Sequence, residues 1–547
     1  MNSLKPMLLT SLKSYDRTQF VKDVTAGIIV AIIALPLSIA LALASGVGPE
    51  AGIFTAIVAG FVISALGGSS VQIAGPTAAF ATIVAGIVAK DGLDGLVIST
   101  ILAGIFLILM GLCHFGSLIK FIPYTITTGF TSGIAVTIVI GQLKDFFGVT
   151  YPDGVKPIET TEKFKAFIEN ISTMNTAALI VGIVSLAILI ISPVIFKKIP
   201  GSLIAVIVGI LMVKFLPLKV STIGNLYTIS NSLPAFHLPA VNLHIIENAL
   251  PNAFTIAVLA AIESLLSCVV ADGMINGKHR SDMELVAQGA GNIASALFGG
   301  IPATGAIART AANIKNGGLT PVAGMVHSIT LVIVLVVLMP FAGMIPMPTI
   351  AAILFIVAYN MCQWRTFVHL IRTAPKSDII VLFATFILTI LFDLVVAIEI
   401  GMVLACLLFI KRMSEETHVD GWTYVDDDTP DVDAHLKKLP LQIRVYEITG
   451  PLFFGAADAI EHIVVKDFTT CLVLRMRSVP AIDSTAMNAL FNLTKVCENK
   501  GITLVFSHVN EQPMKVMEKA GFVELVGREN FCPNISAALA HAEEISI

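Results

Sequence analysis

Two ionisable residues stand in long apolar stretches of the sequence, where charge is rare. Glu263 lies in the sequence IESL at residues 262–265, and Arg309 follows the sequence IPATG at residues 301–305. A charge is costly to bury in hydrocarbon, so an ionisable residue at membrane depth indicates a functional site by default. The structural alternative is that Arg309 extends its head group to an interface and that Glu263 pairs with Arg309 or with a backbone group.

Two interrupted segments accompany these residues. The first reads QIAGPTAAF at residues 72–80, and the second reads GGIPATGAIART at residues 299–310. In each segment a proline precedes threonine and small residues, which is typical of a helix that begins there. A helix that begins inside a membrane leaves its first N–H groups without partners and presents about half a positive charge to whatever lies ahead. Two such starts that face each other would form an anion site.

The side chains around both starts suit an anion. Small residues allow close approach to the amides, Thr77 and Thr304 can add hydroxyl donors, and Arg309 adds a full positive charge. Gln72 either contacts the anion or bridges backbone groups. The predicted anion-binding residues are Gln72, Thr77, Ala78, Ala79, Thr304, Gly305, Ala306, Ile307, Ala308 and Arg309.

Glu263 is the candidate for a co-transported cation. Ser267 lies four residues further along and therefore on the same helical face. A carboxylate at this depth must be protonated or paired with a cation, because the isolated charge is too costly. We therefore predict that Glu263 and Ser267 form a coupling-ion site, with a structural partner role for Glu263 as the alternative.

The composition requires a membrane to hold these residues. The chain of 547 residues is 56% hydrophobic and only 13% charged, and its mean hydropathy is +0.87. Soluble domains are about 25% charged on average. The apolar runs are long enough to cross a bilayer as helices. We predict fourteen spans at about 24–45, 50–67, 76–89, 94–113, 122–143, 176–196, 200–216, 249–272, 284–299, 303–316, 319–341, 346–361, 377–392 and 394–412.

The spans divide into two halves of seven, which begin near residues 24 and 249. Pro76 lies 52 residues into the first half and Pro302 lies 53 residues into the second. An odd number of spans per half inserts the second half upside down, which is the inverted-repeat plan of secondary transporters. Such transporters bind their substrate where corresponding helices are interrupted.

The loop charges predict the orientation of the spans. With fourteen spans both termini lie on one side, and Lys and Arg are about twice as frequent on that side. The rule that positive charge stays inside then places both termini in the cytoplasm of a cell with the protein in its inner membrane. The polar leader precedes no cleavage site, so we expect no signal peptide.

Composition changes near Lys411, where the apolar runs end. An acidic stretch follows, and then a sequence of ordinary polarity. We predict a cytoplasmic segment at 1–23, a transport domain at 24–413 with halves at about 24–216 and 249–413, a linker at 414–439, and a soluble domain at 440–547. Alternating strand and helix patterns in the last region indicate a small α/β sandwich.

Several classes of function are excluded by what the sequence lacks. The seven cysteines are scattered and form no CxxC pair, so we expect neither a disulfide framework nor a metal site. The tail contains no glycine-rich phosphate loop and no catalytic triad. We predict no enzymatic activity, no cofactor and no nucleic-acid partner.

The chain resembles the SulP family of anion transporters, the bacterial relatives of the SLC26 carriers. The resemblance rests on ALPL at 34–37, AGPT at 74–77, IESL at 262–265 and the stretch 301–321, and it covers essentially the whole chain. It implies a seven-plus-seven inverted repeat with a core and a gate domain. The anion would lie between the third and tenth helices, and the core would move against the gate like an elevator.

The resemblance also implies cargo, coupling and assembly. Family cargoes include sulfate, bicarbonate, chloride, oxalate and C4-dicarboxylates, and bacterial members are viewed as proton- or sodium-coupled symporters. Sodium-coupled bicarbonate relatives have Asp at the position of Glu263, so the longer acid favours protons. Animal members often have serines before the arginine, whereas this chain has AIA at 306–308, which leaves more of the binding to backbone amides. Family members are typically homodimers in contact with membrane lipid.

The tail resembles a STAS domain, with DST at residues 483–485 in the loop before a helix. In related anti-sigma antagonists a serine or threonine of this loop is phosphorylated, which makes Ser484 a candidate regulatory residue. The alternative is that Ser484 caps the helix with Thr485. A cytoplasmic protein partner of this domain is a further expectation.

The predicted function is secondary active transport of a small anion, nominally sulfate and coupled to protons. The alternatives are a sodium-coupled bicarbonate symporter and a proton-coupled C4-dicarboxylate symporter. Two readings of another class are an uncoupled anion channel and a membrane signalling module built on the tail.

Overall fold

Helices account for most of the apolar part of the chain, as its hydropathy requires. The computed structural model describes residues 4–117, 123–152, 154–155, 157–195, 200–216, 218–230, 232–239, 243–392, 394–421, 440, 442–461, 463 and 468–546. The chain forms two units, Met1–Met402 and Val403–Ile547. Up to the end of the apolar region the described helices are α1 (Leu8–Ser11), α2 (Arg17–Ala44), α3 (Pro49–Leu66), α4 (Ala78–Leu112), α5 (Tyr124–Phe147), α6 (Thr160–Glu169), α7 (Thr176–Ile195), α8 (Gly201–Phe215), α9 (Ile223–Leu226), α10 (Leu243–Ile275), α11 (Ser281–Leu297), α12 (Ile307–Lys315), α13 (Pro321–Ala342), α14 (Met347–Cys362), α15 (Trp364–Thr373), α16 (Lys376–Leu391) and α17 (Leu394–Glu415).

Each of the fourteen predicted segments corresponds to a helix within the described residues. The third and fourth segments are joined as α4, which continues through a kink at Gly92. Among the described residues, eight helices are long and apolar enough to cross a membrane by length and composition, and α8 is a shorter apolar helix. The protein is therefore a polytopic helical membrane protein.

The structure differs from the predicted segments by four or more residues at three helix starts. Helix α2 begins at Arg17 rather than near 24, within the predicted N-terminal segment 1–23. Helix α10 begins at Leu243 rather than near 249, so Pro251 lies inside it. Helix α12 begins at Ile307 rather than near 303, because Thr304–Gly305 form a short strand, β2, instead. Four short helices were not predicted. Helices α1 and α9 have only four residues each, and α6 and α15 are ten residues long and amphipathic rather than apolar throughout.

Two strands interrupt the helical order at corresponding places. Strand β1 (Ala74–Gly75) lies between α3 and α4, and β2 lies between α11 and α12. The order helix, helix, strand, helix therefore occurs twice, once from α2 to α4 and once from α10 to α12. This recurrence is what the two-half plan predicts.

The helices of the first unit pack in two groups. In one group α4 packs against α10 and α11, α13 packs against α2 and α3, and α12 packs against α2 and α10. In the other, α5 packs against α14 and α16, and α7 packs against α8 and α14. The groups meet where α2 contacts α14 and α4 contacts α5. This is the division that a core and a gate require.

Small residues bring the core helices close together. Gly104 of α4 and Gly289 of α11 face each other, and a Cβ on either would lie less than 3.0 Å from the carbonyl oxygen of the other. Without side chains between them the two backbones pack directly, which is how membrane helices associate when no hydrophobic effect drives them together. The contact holds α4 and α11 close together.

The second unit contains a five-stranded sheet with the order β3-β4-β5-β6-β7. Strand β3 is antiparallel to β4, and the remaining pairs are parallel. Leu472 and Leu474 face one apolar cluster and Val473 faces another, so helices cover both faces as parallel sheets require. The described strands and helices are β3 (His418–Gly421), β4 (Ile443–Thr449), α18 (Asp458–Glu461), β5 (Cys471–Ser478), α19 (Ser484–Asn499), β6 (Thr503–Ser507), α20 (Glu511–Lys519), α21 (Phe522–Val526), β7 (Phe531–Cys532) and α22 (Ile535–Ser546).

The sheet begins earlier than the sequence indicated. Strand β3 lies within residues 414–439, for which a linker was predicted, and α17 continues to Glu415. The strand is short and lies at the edge of the sheet, where Val419 pairs with Ile448, so its sequence has little apolar alternation to reveal it. The remainder of the predicted linker, residues 422–439, lies outside the described residues.

Candidate functional site

The two interrupted segments lie side by side because β1 and β2 pair. The strands are antiparallel, with Ala74 opposite Gly305 and Gly75 opposite Thr304. The amide of Ala306 donates to the carbonyl oxygen of Ile73 at 2.9 Å and extends the pairing by one bond. Helices α4 and α12 therefore both begin just beyond the same pair of strands, as the two matched interruptions predict.

Both helices begin with free backbone donors. The N-cap residues are Thr77 for α4 and Ala306 for α12, and neither side chain makes a capping hydrogen bond. The amide of Phe80 donates to Thr77 and that of Thr310 donates to Ala306. In the described part of the chain, the amides that precede them, those of Ala78–Ala79 and of residues 307–309, have no acceptor in the protein.

The two prolines are not equivalent. Pro76 follows β1 and comes two residues before α4, whereas Pro302 precedes β2 and comes five residues before α12. The similar positions of Pro76 and Pro302 within the two halves located the interruptions correctly. The expectation that each proline marks a helix start is wrong for Pro302. Pairing of Thr304 and Gly305 with β1 satisfies backbone groups that an earlier helix start would have used.

The residues at the two starts differ in exposure. Ala78 and Ala79 are buried, Thr77, Ala306 and Ile307 are half-buried, and Ala308 is exposed. The start of α12 thus reaches solvent at residues 306–308, whereas the start of α4 reaches it at Thr77 and is buried from Ala78 onward. Each helix also carries a partial positive charge at its N-terminus, so this arrangement can bind an anion.

The Arg309 side chain is buried and packs against Gly75 of β1. It is 2% exposed, and Nη2 donates to Ser38 Oγ at 3.3 Å and to the carbonyl oxygen of Pro76 at 3.2 Å. Within the described residues Nε and Nη1 have no hydrogen-bond partner, and no ion pair includes the guanidinium. The charge is thus not neutralised by a carboxylate, and it remains available to attract an anion through space.

Two of the predicted anion-binding side chains have partners inside the protein. The Thr304 hydroxyl lies 2.6 Å from Ser264 Oγ and donates to the carbonyl oxygen of Ala260 at 3.1 Å. The Gln72 carboxamide is buried and bonded to Glu284 and Cys268. Gln72 therefore bridges two side chains of neighbouring helices, and not the backbone groups of the predicted alternative.

Glu263 contacts the start of α4 instead of Arg309. Thr77 Oγ1 donates to Glu263 Oε2 at 2.8 Å, and the carboxyl group is half-buried. No ion pair among the described residues joins Glu263 to Arg309, so the predicted alternative of an Arg309 partner is wrong. Ser267 is buried one turn further along α10, and its hydroxyl has no partner in the described part of the protein. The carboxyl group is therefore joined to the candidate anion site by one hydroxyl.

Three residues of the site were not singled out from the sequence. Ser38 on α2 contacts Arg309, Ser264 on α10 accepts from the amide of Gly305 at 3.2 Å, and Glu284 on α11 is fully buried. Ser264 is adjacent to Glu263, so its position beside the site could have been inferred. Glu284 lies near a helix start, where an acidic residue is ordinary, so no sequence pattern indicated that it would be buried.

The tail tests the prediction that Ser484 caps a helix. The N-cap of α19 is Asp483, whose Oδ1 accepts from the amides of Thr485 and Ala486 at 3.0 and 2.9 Å. Its Oδ2 accepts from the amide of Phe454 at 2.8 Å. The prediction that Ser484 caps this helix is wrong, because Ser484 is the first helical residue and is exposed.

Two family models match the chain. The model of the sulfate permease family matches residues 20–385, and the STAS domain model matches residues 437–538. A relative from Bacillus subtilis, "Putative sulfate transporter YvdB", is 39% identical over 530 residues, which are 95% of this chain and 97% of the relative. The bicarbonate transporter BicA of Picosynechococcus is 31% identical and covers 95% of this chain and 94% of its own.

Two solved structures are similar in fold. The structure of SLC26A9 has a TM-score of 0.88 at 18% identity and covers 99% of this chain and 93% of its own. The transmembrane domain of a cyanobacterial BicA has a TM-score of 0.63 at 29% identity and covers 72% of this chain and 98% of its own. The match with SLC26A9 extends over both units.

Proposed function

The chain belongs to the sulfate permease family, and we propose that this anion transporter binds its cargo between the starts of α4 and α12. It is not an enzyme, and the comparisons agree on transport of anions. The observation that carries the proposal is the antiparallel β1–β2 pairing, because the helices with free amides at residues 78–79 and 307–309 both begin just beyond this one pair of strands. Arg309, buried behind them without a carboxylate partner among the described residues, supplies the charge.

The amides specify the sign of the cargo more than its identity. Backbone donors at two helix starts accommodate any compact oxyanion, and none of the residues 306–308 adds a hydroxyl group. Sulfate is the nominal cargo, in line with the name of the Bacillus subtilis relative. Bicarbonate is the second candidate, favoured by a relative of 31% identity that is named as a bicarbonate transporter.

Glu263 is the proposed proton-binding residue. Its carboxyl group accepts from Thr77, and Thr77 is the N-cap of α4, so protonation would change the charge immediately beside the anion. Binding of an anion and of a proton would thereby favour each other, since each compensates the charge of the other. Ser267 is the proposed second member of this coupling site.

The proposed transport cycle moves the core group of helices past the gate group. The anion and proton both bind to elements of the core, α4, α10 and α12, so a rigid shift of that group would carry both across the membrane. We further propose fourteen crossings with both termini in the cytoplasm, insertion in the inner membrane, a homodimer in contact with lipid, and a STAS domain that recruits a cytoplasmic protein, with Ser484 as its regulatory residue.

Uptake into proteoliposomes tests the proposal. Purified protein is reconstituted and given radiolabelled sulfate or bicarbonate under an inward proton gradient, a sodium gradient or neither. We expect accumulation of one of these anions driven by protons, and at least a tenfold higher KM in Arg309→Gln. The matched control is Arg365→Gln, an exposed arginine of α15. Unchanged KM in Arg309→Gln would contradict the site, and accumulation driven only by sodium would contradict proton coupling.

A further inference from the structure

A buried carboxylate on α11 accepts four hydrogen bonds. Glu284 Oε2 accepts from the amides of Gly68 at 2.8 Å and Ser69 at 3.1 Å, and Oε1 accepts from Gln72 Nε2 at 2.7 Å and Gln288 Nε2 at 2.9 Å. The side chain is completely buried, and no ion pair of the described residues includes it. Donors to a charged acceptor are held more strongly than neutral pairs, so Glu284 fixes the segment that leads into β1.

Gln72 is held at both ends of its carboxamide. While Nε2 donates to Glu284, Oε1 accepts from Cys268 Sγ on α10 at 3.0 Å. This assigns the orientation of the amide, because a carboxylate can only accept and the thiol here donates. Gln72 is therefore a rigid bridge between α11 and α10 rather than a mobile side chain.

The Gln72 carboxamide packs directly against β2. A Cβ on Gly305 would lie less than 3.0 Å from Nε2, Cδ and Oε1 of Gln72. Glycine is thus required at this position for the carboxamide to fit. The Gln72 amide therefore packs directly against β2 at Gly305.

The position of β2 in turn determines the direction of α12. Ala306 follows Gly305 and donates to Ile73, while the Ile73 amide donates to Thr310 Oγ1 at 3.1 Å. The amides at residues 307–309 lie between these two attachments. A small displacement of Gln72 would therefore rotate the free amides of α12 relative to those of α4.

We propose that Glu284 is a positioning residue for the anion: through Gln72 and Gly305 it fixes the geometry of the amides that bind the cargo. The proposal rests on the anion site assigned above. Glu284 itself touches neither the anion nor the free amides, and its contribution is to the affinity for the cargo. Gln72 belongs to the same support.

The first test is Glu284→Gln, which keeps the shape of the side chain. The new amide has a single oxygen, so its NH2 group must oppose either the donors of Gln72 and Gln288 or the amides of Gly68 and Ser69, and either contact displaces the segment that leads into β1. We expect KM for sulfate or bicarbonate, whichever the wild-type protein accumulates, to rise about tenfold, with Vmax per reconstituted transporter within twofold. The control Gln288→Ala removes a different donor to the same carboxylate, and its KM should stay within twofold. A fall in Vmax at unchanged KM in Glu284→Gln would overturn the positioning role.

The second test uses the contact between Gln72 and Gly305. Gly305→Ala should raise KM at least tenfold, and the double variant with Gln72→Ala should have no higher KM than Gln72→Ala alone, because the smaller side chain makes room for the new Cβ. Adding Gln72→Ala to Glu284→Gln should cause no further rise in KM, because the two residues act in series. Multiplication of the two single effects would overturn the proposal.

Failure of the anion site and failure of the positioning role give different results. If the anion binds elsewhere, Gly305→Ala and Arg309→Gln leave KM unchanged together with Glu284→Gln. If only the positioning role is wrong, Gly305→Ala raises KM and Glu284→Gln does not. A thermal unfolding measurement on each variant in detergent identifies those that fail to fold. If Gly305→Ala is one of them, KM is measured in the double variant of Gly305→Ala and Gln72→Ala instead.

Discussion

A Cβ added to Gly75 would lie less than 3.0 Å from Nη1 of Arg309. Gly75 belongs to β1 and Arg309 to α12, so the absence of a side chain in one interrupted segment makes room for the charge of the other. Gln72 and Gly305 have the reciprocal relation. Each segment thus packs a polar side chain behind the glycine of its counterpart.

The first prediction concerns this packing. Gly75→Ala should lower the thermal unfolding temperature and raise KM for the anion, because the inserted Cβ displaces the guanidinium and overpacking costs about 1–3 kcal/mol. Unfolding is followed in detergent, and KM in proteoliposomes. Gly86→Ala on α4 is the control, since a Cβ there meets nothing within 4 Å. In an Arg309→Ala background the Gly75→Ala effect should largely disappear, and a fully additive effect would contradict the packing.

The second prediction concerns coupling at Glu263. Glu263→Gln keeps an oxygen that accepts from Thr77 but cannot release a proton. We expect loss of proton-driven accumulation with exchange of labelled anion across the membrane retained within threefold. The control is Glu399→Gln, an exposed glutamate of α17. Retained accumulation in Glu263→Gln would mean that the proton binds elsewhere or that transport is not proton-coupled.

The third prediction separates a structural from a binding role for Thr304. Its hydroxyl is bonded to Ser264 and to the carbonyl oxygen of Ala260, so Thr304→Val leaves buried polar groups unpaired at a cost of about 1–3 kcal/mol. The unfolding temperature should fall, and KM should change less than threefold. Thr304→Ser keeps the hydroxyl and should behave as wild type. A large rise in KM without loss of stability would instead place the hydroxyl on the anion.

The fourth prediction concerns the capping of α19 in the tail. Asp483→Ala removes the acceptor of the Thr485, Ala486 and Phe454 amides, and loss of such a cap costs about 1 kcal/mol. Hydrogen exchange of residues 484–499 in the full-length protein should become faster. Ser484→Ala should leave exchange unchanged, because Ser484 is not the cap. Equal acceleration in both variants would contradict this assignment.

The sequence predicted the elements of the site better than it predicted the roles of single side chains. The two breaks were recognisable because glycine, proline and threonine interrupt apolar runs, and the helices on both sides of them have strong apolar periodicity. The helices α6 and α15 have only ten residues each, and the edge strand β3 has four. Elements of this length carry too few residues for their pattern to differ from a loop.

Side-chain roles depended on contacts between distant parts of the chain. Gln72 and Glu284 are 212 residues apart, and neither residue type reveals that the other is its partner. Arg309 was identified from its charge, but its position behind Gly75 follows from the β1–β2 pairing, which no local pattern encodes. The cap at Asp483 rather than Ser484 was a choice between neighbours that both favour the N-cap position, and it was decided by the contact with Phe454.

The most direct test of the anion site is to locate a heavy analogue of its cargo. Selenate is a sulfate analogue whose selenium scatters anomalously, and crystals of the protein grown with selenate would reveal its position. We expect an anomalous peak within hydrogen-bonding distance of the amides at residues 78–79 and 307–309, absent in Arg309→Gln at the same concentration. A peak elsewhere in the transport domain, with those amides unoccupied, would contradict the proposed anion site.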